Sequence, residues 1–172
     1  LGHLGLGAAP RPLGVAAQVI PWNFPLLMAA WKIAPALAAG NTVVLKPSEL
    51  TPGTAILMVE ILEQLGVPPG VVNLVTGAGA AVGPALTGSP DVDLVSFTGG
   101  LATGTAIAAA AAPNVTKIAL ELGGKNPNVV FADADLDAAL DNTLNAAFLH
   151  SGQVCSAGSR LIVEESIAER FV

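Results

Sequence analysis

Cys155 is the only cysteine in the chain, and its neighbours are small and polar: Ser151, Gly152 and Gln153 before it, Ser156, Gly158 and Ser159 after. A structural cysteine is usually a small core residue. A Gly/Ser-rich break instead offers an exposed, hydrogen-bonding setting that suits a reactive thiolate. His150 lies a short way upstream and could pair with the thiol or simply cap a helix end. One Cys and two widely spaced His, His3 and His150, cannot build a zinc site. Glu121 ends an apolar run and precedes Leu122-Gly123-Gly124-Lys125. Partly desolvated there, its carboxyl would hold a proton more tightly and suit general-base work; an ion pair with Lys117 or Lys125 is the plainer alternative. Pro21-Trp22-Asn23-Phe24-Pro25 sets a two-donor amide between rigid prolines, or is only a kinked turn into a helix.

Other groups suggest a nucleotide. Lys46-Pro47-Ser48-Glu49 directly follows the β-branched run Thr42–Leu45. A Lys and a Glu at a strand end could clamp a ribose with one donor and one acceptor, although KPSE in isolation also reads as a solvated turn before a helix. Two Gly-rich turns follow strand-like runs. The run Gly77, Gly79, Gly83 nearly matches the dinucleotide fingerprint, but its last spacing is one residue too long. Thr98-Gly99-Gly100-Leu101-Ala102-Thr103-Gly104 opens a helix, whose free N–H groups and positive dipole end favour a phosphate. Either turn alone could be a backbone requirement of the strand-to-helix change.

The elements that must position these residues alternate. Val15–Ile20, Thr42–Leu45, Val71–Val75 and Leu94–Phe97 read as strands buried on both faces. Between them Leu26–Leu37, Thr54–Leu65, Ala80–Leu86 and Thr103–Ala112 read as helices, the second with Thr51 as N-cap and Gly66 at its end. Lys117–Glu121 and Asn128–Phe131 are further strands, Asp135–Leu149 is an amphipathic helix with acidic residues in its first turn, and Ser159–Val163 is a last strand. Such alternation predicts a doubly wound, parallel α/β sheet. Gly123-Gly124 is the expected crossing between two domains, residues 1–122 and 123–172.

Composition sets limits. Of the 172 residues 52% are hydrophobic, only 12% are charged, and the net charge is −6. That apolar share excludes disorder. The acidic balance, without a Lys/Arg cluster, disfavours a nucleic-acid partner. A lone cysteine excludes an internal disulfide framework. A membrane span needs roughly 20 uninterrupted apolar residues, whereas Leu26–Ala39 is broken by Lys32 and Pro35 and Leu101–Ala112 is short. The chain starts without Met and stops at Phe171-Val172, inside what reads as a beginning helix, so a piece of a larger protein is expected.

Taken in order, Pro21-Trp22-Asn23-Phe24-Pro25, Lys46-Pro47-Ser48-Glu49, Phe97-Thr98-Gly99, Glu121-Leu122-Gly123-Gly124-Lys125 and Gly152-Gln153-Val154-Cys155 resemble the NAD(P)-dependent aldehyde dehydrogenase superfamily. The separations also fit, 23 residues from Asn23 to Lys46 and 34 from Glu121 to Cys155. Gly99-Gly100 departs from the Gly-Ser commonest in the superfamily. With Ser151-Gly152-Gln153-Val154-Cys155 it looks most like the betaine aldehyde dehydrogenases.

The resemblance implies a mechanism. Cys155 attacks an aldehyde as a thiolate, the Asn23 amide and the Cys155 N–H hold the oxyanion, and Glu121 is general base for the hydrolytic water. Lys32 matches a supporting proton-relay position. For the cofactor it implies Lys46, Ser48 and Glu49 near the adenosine ribose, with the carboxylate favouring NAD over NADP. Ile20, Pro21 and Trp22 would line the cleft. Gly79, Phe97, Thr98, Gly99, Gly100, Leu101, Ala102, Thr103 and Gly104 would lie near the adenosine and pyrophosphate, and Leu122 and Gly123 near the nicotinamide. Phe24, Leu27 and Trp31, spaced for one helix face, would line a substrate tunnel and hold a trimethylammonium group by cation–π contact, or are core packing. The whole protein is expected to be a cytoplasmic homodimer or homotetramer acting on a small aldehyde. General aliphatic aldehydes, amino-aldehydes, or a silent nucleotide-binding relative remain alternatives.

Overall fold

A computed structural model describes residues 11–172. The chain divides into two compact units, one running to Glu121 and the other comprising Leu122–Val172.

The first unit is an α/β sheet. Its strands are β1 (Val15–Val19), β2 (Thr42–Lys46), β3 (Val72–Leu74), β4 (Leu94–Gly99) and β5 (Lys117–Leu122). They lie in the order β3-β2-β1-β4-β5, with β1–β2, β1–β4 and β2–β3 all parallel. The bond from Lys117 N–H to the Asp93 carbonyl, at 3.3 Å, puts the start of β5 beside the start of β4. Their carboxyl ends therefore share one edge of the sheet. The connecting helices are α1 (Pro25–Ala38), α2 (Gly53–Gln64), α3 (Gly79–Thr87) and α4 (Leu101–Ala111). From β1 the chain winds outward through β2 and β3, then returns to lay β4 on the other side of β1. Right-handed crossovers put the two helix pairs on opposite faces and make β1/β4 the point where the winding reverses.

The core follows from the β-branched runs. Val43 and Leu45 of β2 and Ile20 after β1 pack with Met28, Ala29 and Ile33 of α1 and Ala55 of α2. Phe24, Met58 and Leu62 add partly buried surface to the same cluster.

The second unit holds β6 (Pro127–Val130) and β7 (Arg160–Val163), paired in parallel, with helix α5 (Leu136–Phe148) between them in sequence. The Asp135 carboxylate accepts the Ala138 N–H at 3.2 Å and caps α5, and Asp137 adds charge to its first turn.

Several expectations need correction. Thr51 is not the N-cap of α2: Pro52 occupies that position without a side-chain cap, and the Thr51 hydroxyl is buried without a partner among the described residues. β3 is a short edge strand with Asn73 exposed rather than a strand buried on both faces. α4 begins two residues early, at Leu101, because Gly100 already has the extended backbone of an N-cap. The long helix expected to Leu149 stops at Phe148. There the chain tightens into a 3-10 turn, Leu149–Gly152, in which His150 and Ser151 take left-handed backbone angles.

Candidate active site

The polar groups of the first unit collect at the carboxyl ends of its strands, the edge where open α/β sheets bind ligands. At the end of β2, the Lys46 side chain is only 3% exposed. Its Nζ donates to the Pro47 carbonyl at 3.1 Å and lies 3.6 Å from Glu49 Oε2. The other Glu49 oxygen accepts the Gly79 N–H at 3.5 Å, at the start of α3. Glu49 is exposed, and hydrogen bonds from its own N–H and from Gly79, followed by the Lys46 charge, hold its carboxyl below the usual glutamate range. Lys46, Glu49 and Gly79 therefore form one cluster. Ser48 turns inward within its loop, its Oγ accepting the Leu50 N–H at 3.3 Å.

At the end of β4, Phe97 and Thr98 are buried while Gly100, Leu101, Ala102 and Thr103 are exposed. The absence of a side chain at Gly99 is a packing requirement, since a Cβ there would stand 2.4 Å from the Phe97 ring. Gly100 has nothing within 4 Å of where its Cβ would be, and α4 carries no side-chain cap. The first-turn N–H groups of α4 are thus approachable, and buried Gly104 closes that turn through its bond to the Gly100 carbonyl at 3.0 Å. These features fit a dinucleotide: a cationic donor beside a carboxylate acceptor for a ribose diol, and an uncapped helix start for phosphate. The Gly77–Gly83 run supplies only the Gly79 N–H to this cluster.

After β1, Ile20 is buried in the core, so only its backbone is available to a cleft; its N–H donates to the Lys46 carbonyl at 3.1 Å. Pro21 is half-buried, Trp22 exposed and Asn23 half-buried at the entrance to α1. Phe24 is the N-cap residue, with φ −137° and ψ 62°. Helical spacing therefore does not carry from it into α1. Its ring packs on the core, while Leu27 and Trp31 are exposed, so the three do not share the one face that their spacing suggested.

Lys32 sits in a polar cluster that its neighbours in sequence did not reveal. Gln18 of β1 and Ser96 of β4 are register partners. The Lys32 ammonium donates to Ser96 Oγ at 2.8 Å, and Gln18 Nε2 donates to the Lys32 carbonyl at 2.7 Å. Gln18 is buried, and its Oε1 has no partner among the described residues. Burial pushes the Lys32 pKa down, and the Glu121 charge partly opposes this. The available signal was a lone Gln and a lone Ser, each interrupting an apolar strand. Glu121 itself is exposed on edge strand β5, which corrects the expectation of a desolvated carboxyl there; Leu122 is half-buried and Gly123 exposed. No ion pair joins Glu121 to Lys117 among the described residues.

In the second unit, Cys155 is exposed. It occupies the second position of a four-residue turn, Val154–Ala157, closed by the Ala157 N–H donating to the Val154 carbonyl at 3.1 Å. The Cys155 N–H has no partner among the described residues. Upstream, Gln153 returns both its backbone N–H, at 3.1 Å, and its side-chain amide, at 3.2 Å, to the His150 carbonyl. Asn126, unremarked in the sequence, donates to the Cys155 carbonyl at 2.7 Å. No group of acidic, His and Cys side chains suited to a metal ion occurs among the described residues, and none of their helices is long and apolar enough to cross a membrane.

Residues 8–172 match the aldehyde dehydrogenase family. The chain belongs to the aldehyde dehydrogenase family. Over 162 residues it is 63% identical to betaine aldehyde dehydrogenase of Bacillus subtilis, covering 94% of this chain and 33% of that protein. To human retinal dehydrogenase 2 it is 52% identical over 163 residues, 94% of this chain and 32% of that one. A crystal structure of betaine aldehyde dehydrogenase from Staphylococcus aureus, in complex with NAD+, superposes with a TM-score of 0.91 at 57% identity, covering 93% of this chain and 32% of that one. The chain thus spans about a third of the length of these aldehyde dehydrogenases. Its five-stranded sheet corresponds to their Rossmann-like NAD-binding fold.

Proposed function

We propose that the protein containing this chain oxidises an aldehyde to a carboxylic acid with NAD, and that its substrate is betaine aldehyde. Residues 1–122 belong to the cofactor-binding domain and 123–172 begin the catalytic domain. The observation that carries the reading is Cys155, an exposed thiol in a tight turn whose own N–H is left without a partner among the described residues. A thiol so placed can attack a carbonyl carbon, and the adjacent N–H can receive the oxygen that becomes negative.

The Cys155 thiolate adds to the aldehyde to give a thiohemiacetal, with the Asn23 amide as the second oxyanion donor. Such a donor is worth about 3–4 kcal/mol of transition-state stabilisation. NAD, when bound, supplies the hydride acceptor that leaves a thioester on Cys155. Glu121 takes a proton from the water that hydrolyses this thioester, and Lys32, with its lowered pKa, passes protons in support. Lys46 and Glu49 hold the adenosine ribose hydroxyls, the carboxylate repelling a 2′-phosphate. Ser48, Gly79 and the segment from Phe97 to Gly104 surround the adenosine and pyrophosphate. Ile20, Pro21 and Trp22 border the cleft, and Leu122 and Gly123 approach the nicotinamide. The catalytic thiol must stay reduced, which suits the cytoplasm, and the whole protein assembles as a homodimer or homotetramer.

The substrate assignment draws on the similarity to betaine aldehyde dehydrogenases and on Trp31, 65% exposed on α1 beside exposed Leu27, where an indole face can meet a quaternary ammonium. Phe24 supports the start of that helix. The test is NAD reduction by the full-length protein with betaine aldehyde and unbranched aldehydes. Betaine aldehyde should give the highest kcat/KM, and Trp31→Ala should reduce that preference by roughly threefold to thirtyfold. Equal kcat/KM for all aldehydes would contradict the substrate, and no reduction with any of them would contradict the activity.

A further inference from the structure

We propose that Asn126 is a positioning residue for Cys155, holding the turn that presents the thiol and its N–H. The proposal rests on the reading of Cys155 as nucleophile. Asn126 meets the 155–160 segment in three places. Its side-chain Nδ2 donates to the Cys155 carbonyl at 2.7 Å and approaches the Ala157 carbonyl at 3.4 Å. Its own carbonyl accepts the Arg160 N–H at 3.2 Å, at the start of β7. Pro127 follows and pairs with Arg160 in the β6–β7 ladder, so the backbone carrying this amide is anchored in regular structure.

The Cys155 carbonyl belongs to the middle peptide of the Val154–Ala157 turn. Flipping that peptide interconverts the two common turn types, and the flipped form puts the third residue at positive φ. Here that residue is Ser156, which is not among the residues with positive φ. A single backbone bond, Ala157 N–H to Val154 carbonyl, closes the turn, and such a bond survives a flip of the middle peptide. The Asn126 amide is the group that grips the middle peptide itself. Releasing it loosens the turn that carries the thiol and the N–H, since no other side chain grips its middle peptide among the described residues. A second contact limits motion on the far side of the turn: the Gly158 N–H donates to the Ala146 carbonyl of α5 at 3.0 Å, and a Cβ at Gly158 would meet Ala146 at 3.1 Å and Asn128 at 3.2 Å. With the chain held at Gly158 and at Arg160, the peptide after Cys155 is the part left to Asn126.

The test uses the full-length enzyme with Asn126→Asp, which keeps the shape but replaces the donating amide nitrogen with an accepting oxygen, and Asn126→Ser, which withdraws the amide without adding charge. The readouts are the rate constant of the first-turnover NADH burst, the KM for NAD, and the rate of Cys155 alkylation by iodoacetamide. Misplacing a reacting group by about an ångström costs roughly a hundredfold in rate. Both variants should therefore slow the burst by about tenfold to a hundredfold and change the alkylation rate, while the KM for NAD stays near that of the parent. Should Asn126→Asp not fold, Asn126→Ser carries the same expectation. A parent-like burst in a folded variant, beside a Cys155→Ala enzyme with no burst, overturns the proposal alone. A burst that persists in Cys155→Ala overturns the nucleophile reading and the proposal with it.

Discussion

Glu49 is held ionised from two sides, by backbone N–H groups and by a buried ammonium, and this gives the proposed ribose site a defined pH behaviour. Its pKa in the folded chain lies below the unfolded value, so the stability it contributes is complete above the ordinary glutamate range and is lost as pH falls through the lowered value. NAD affinity of the full-length enzyme should stay level as pH falls to the upper edge of the ordinary glutamate range, declining only below it. Glu49→Gln should weaken NAD binding by roughly tenfold to a hundredfold at neutral pH, through loss of a charged acceptor. Isothermal titration across pH checks both, and an unchanged Kd in Glu49→Gln would remove Glu49 from the cofactor site. Lys46, Glu49, Asn23 and Cys155 could be singled out from sequence because each is a chemically capable side chain at a strand end or in a Gly/Ser-rich break. Gln18, Ser96 and Asn126 could not. Their significance comes from bonds spanning 14, 64 and 29 residues, to Lys32, Lys32 and Cys155, which no local pattern encodes. Phe24 misled for a different reason: a residue with N-cap angles does not obey helical spacing.

Among the elements, the β4–α4 junction is where tight packing meets the proposed phosphate-binding turn. Phe97 lies buried under Gly99, so the ring occupies the volume that any side chain at 99 would need. Gly99→Ala should destabilise the protein by about 1–3 kcal/mol through overpacking, and the same displacement of the turn should weaken NAD binding. Thermal unfolding and NAD titration of one variant report both effects; full stability would show that the ring yields without cost. In the second unit, the Glu164 carboxylate accepts the Ala132 N–H and the Ser166 hydroxyl, each at 2.8 Å, tying the end of β6 to the end of β7. These bonds lower its pKa. The tie is therefore intact above the ordinary glutamate range and is lost as pH falls through the lowered value. Strand and helix alternation, and with it the parallel sheet, was legible because buried parallel strands are short β-branched runs. Strand order was inferred from that alternation only as a class. The cap of α2 misled because Pro52, already at helical angles, took the place that Thr51 was suited to fill.

At the scale of the whole molecule, the low charge finds a physical counterpart in exposed apolar surface. Leu26, Leu57 and Ile61 line an open groove of about 330 Å³ between α1 and α2 together with Thr54, Met58 and Leu62, and Phe148 and Leu149 are exposed in the second unit. Apolar surface of this kind is seldom left uncovered on a soluble monomer. The isolated 172-residue chain should therefore self-associate and show no turnover, whereas the full-length protein should be active; sedimentation and NADH formation measured on both decide this, and a monodisperse, active short chain would contradict it. In the proposed reaction Cys155 carries the substrate as a thioester. The direct measurement is peptide mass spectrometry of the full-length Glu121→Gln enzyme, quenched after mixing with NAD and betaine aldehyde. An acyl mass addition confined to the peptide containing Cys155, absent when NAD is omitted, is the predicted result. An addition on another residue, or NADH formed at the parental rate by Cys155→Ala, would contradict the account.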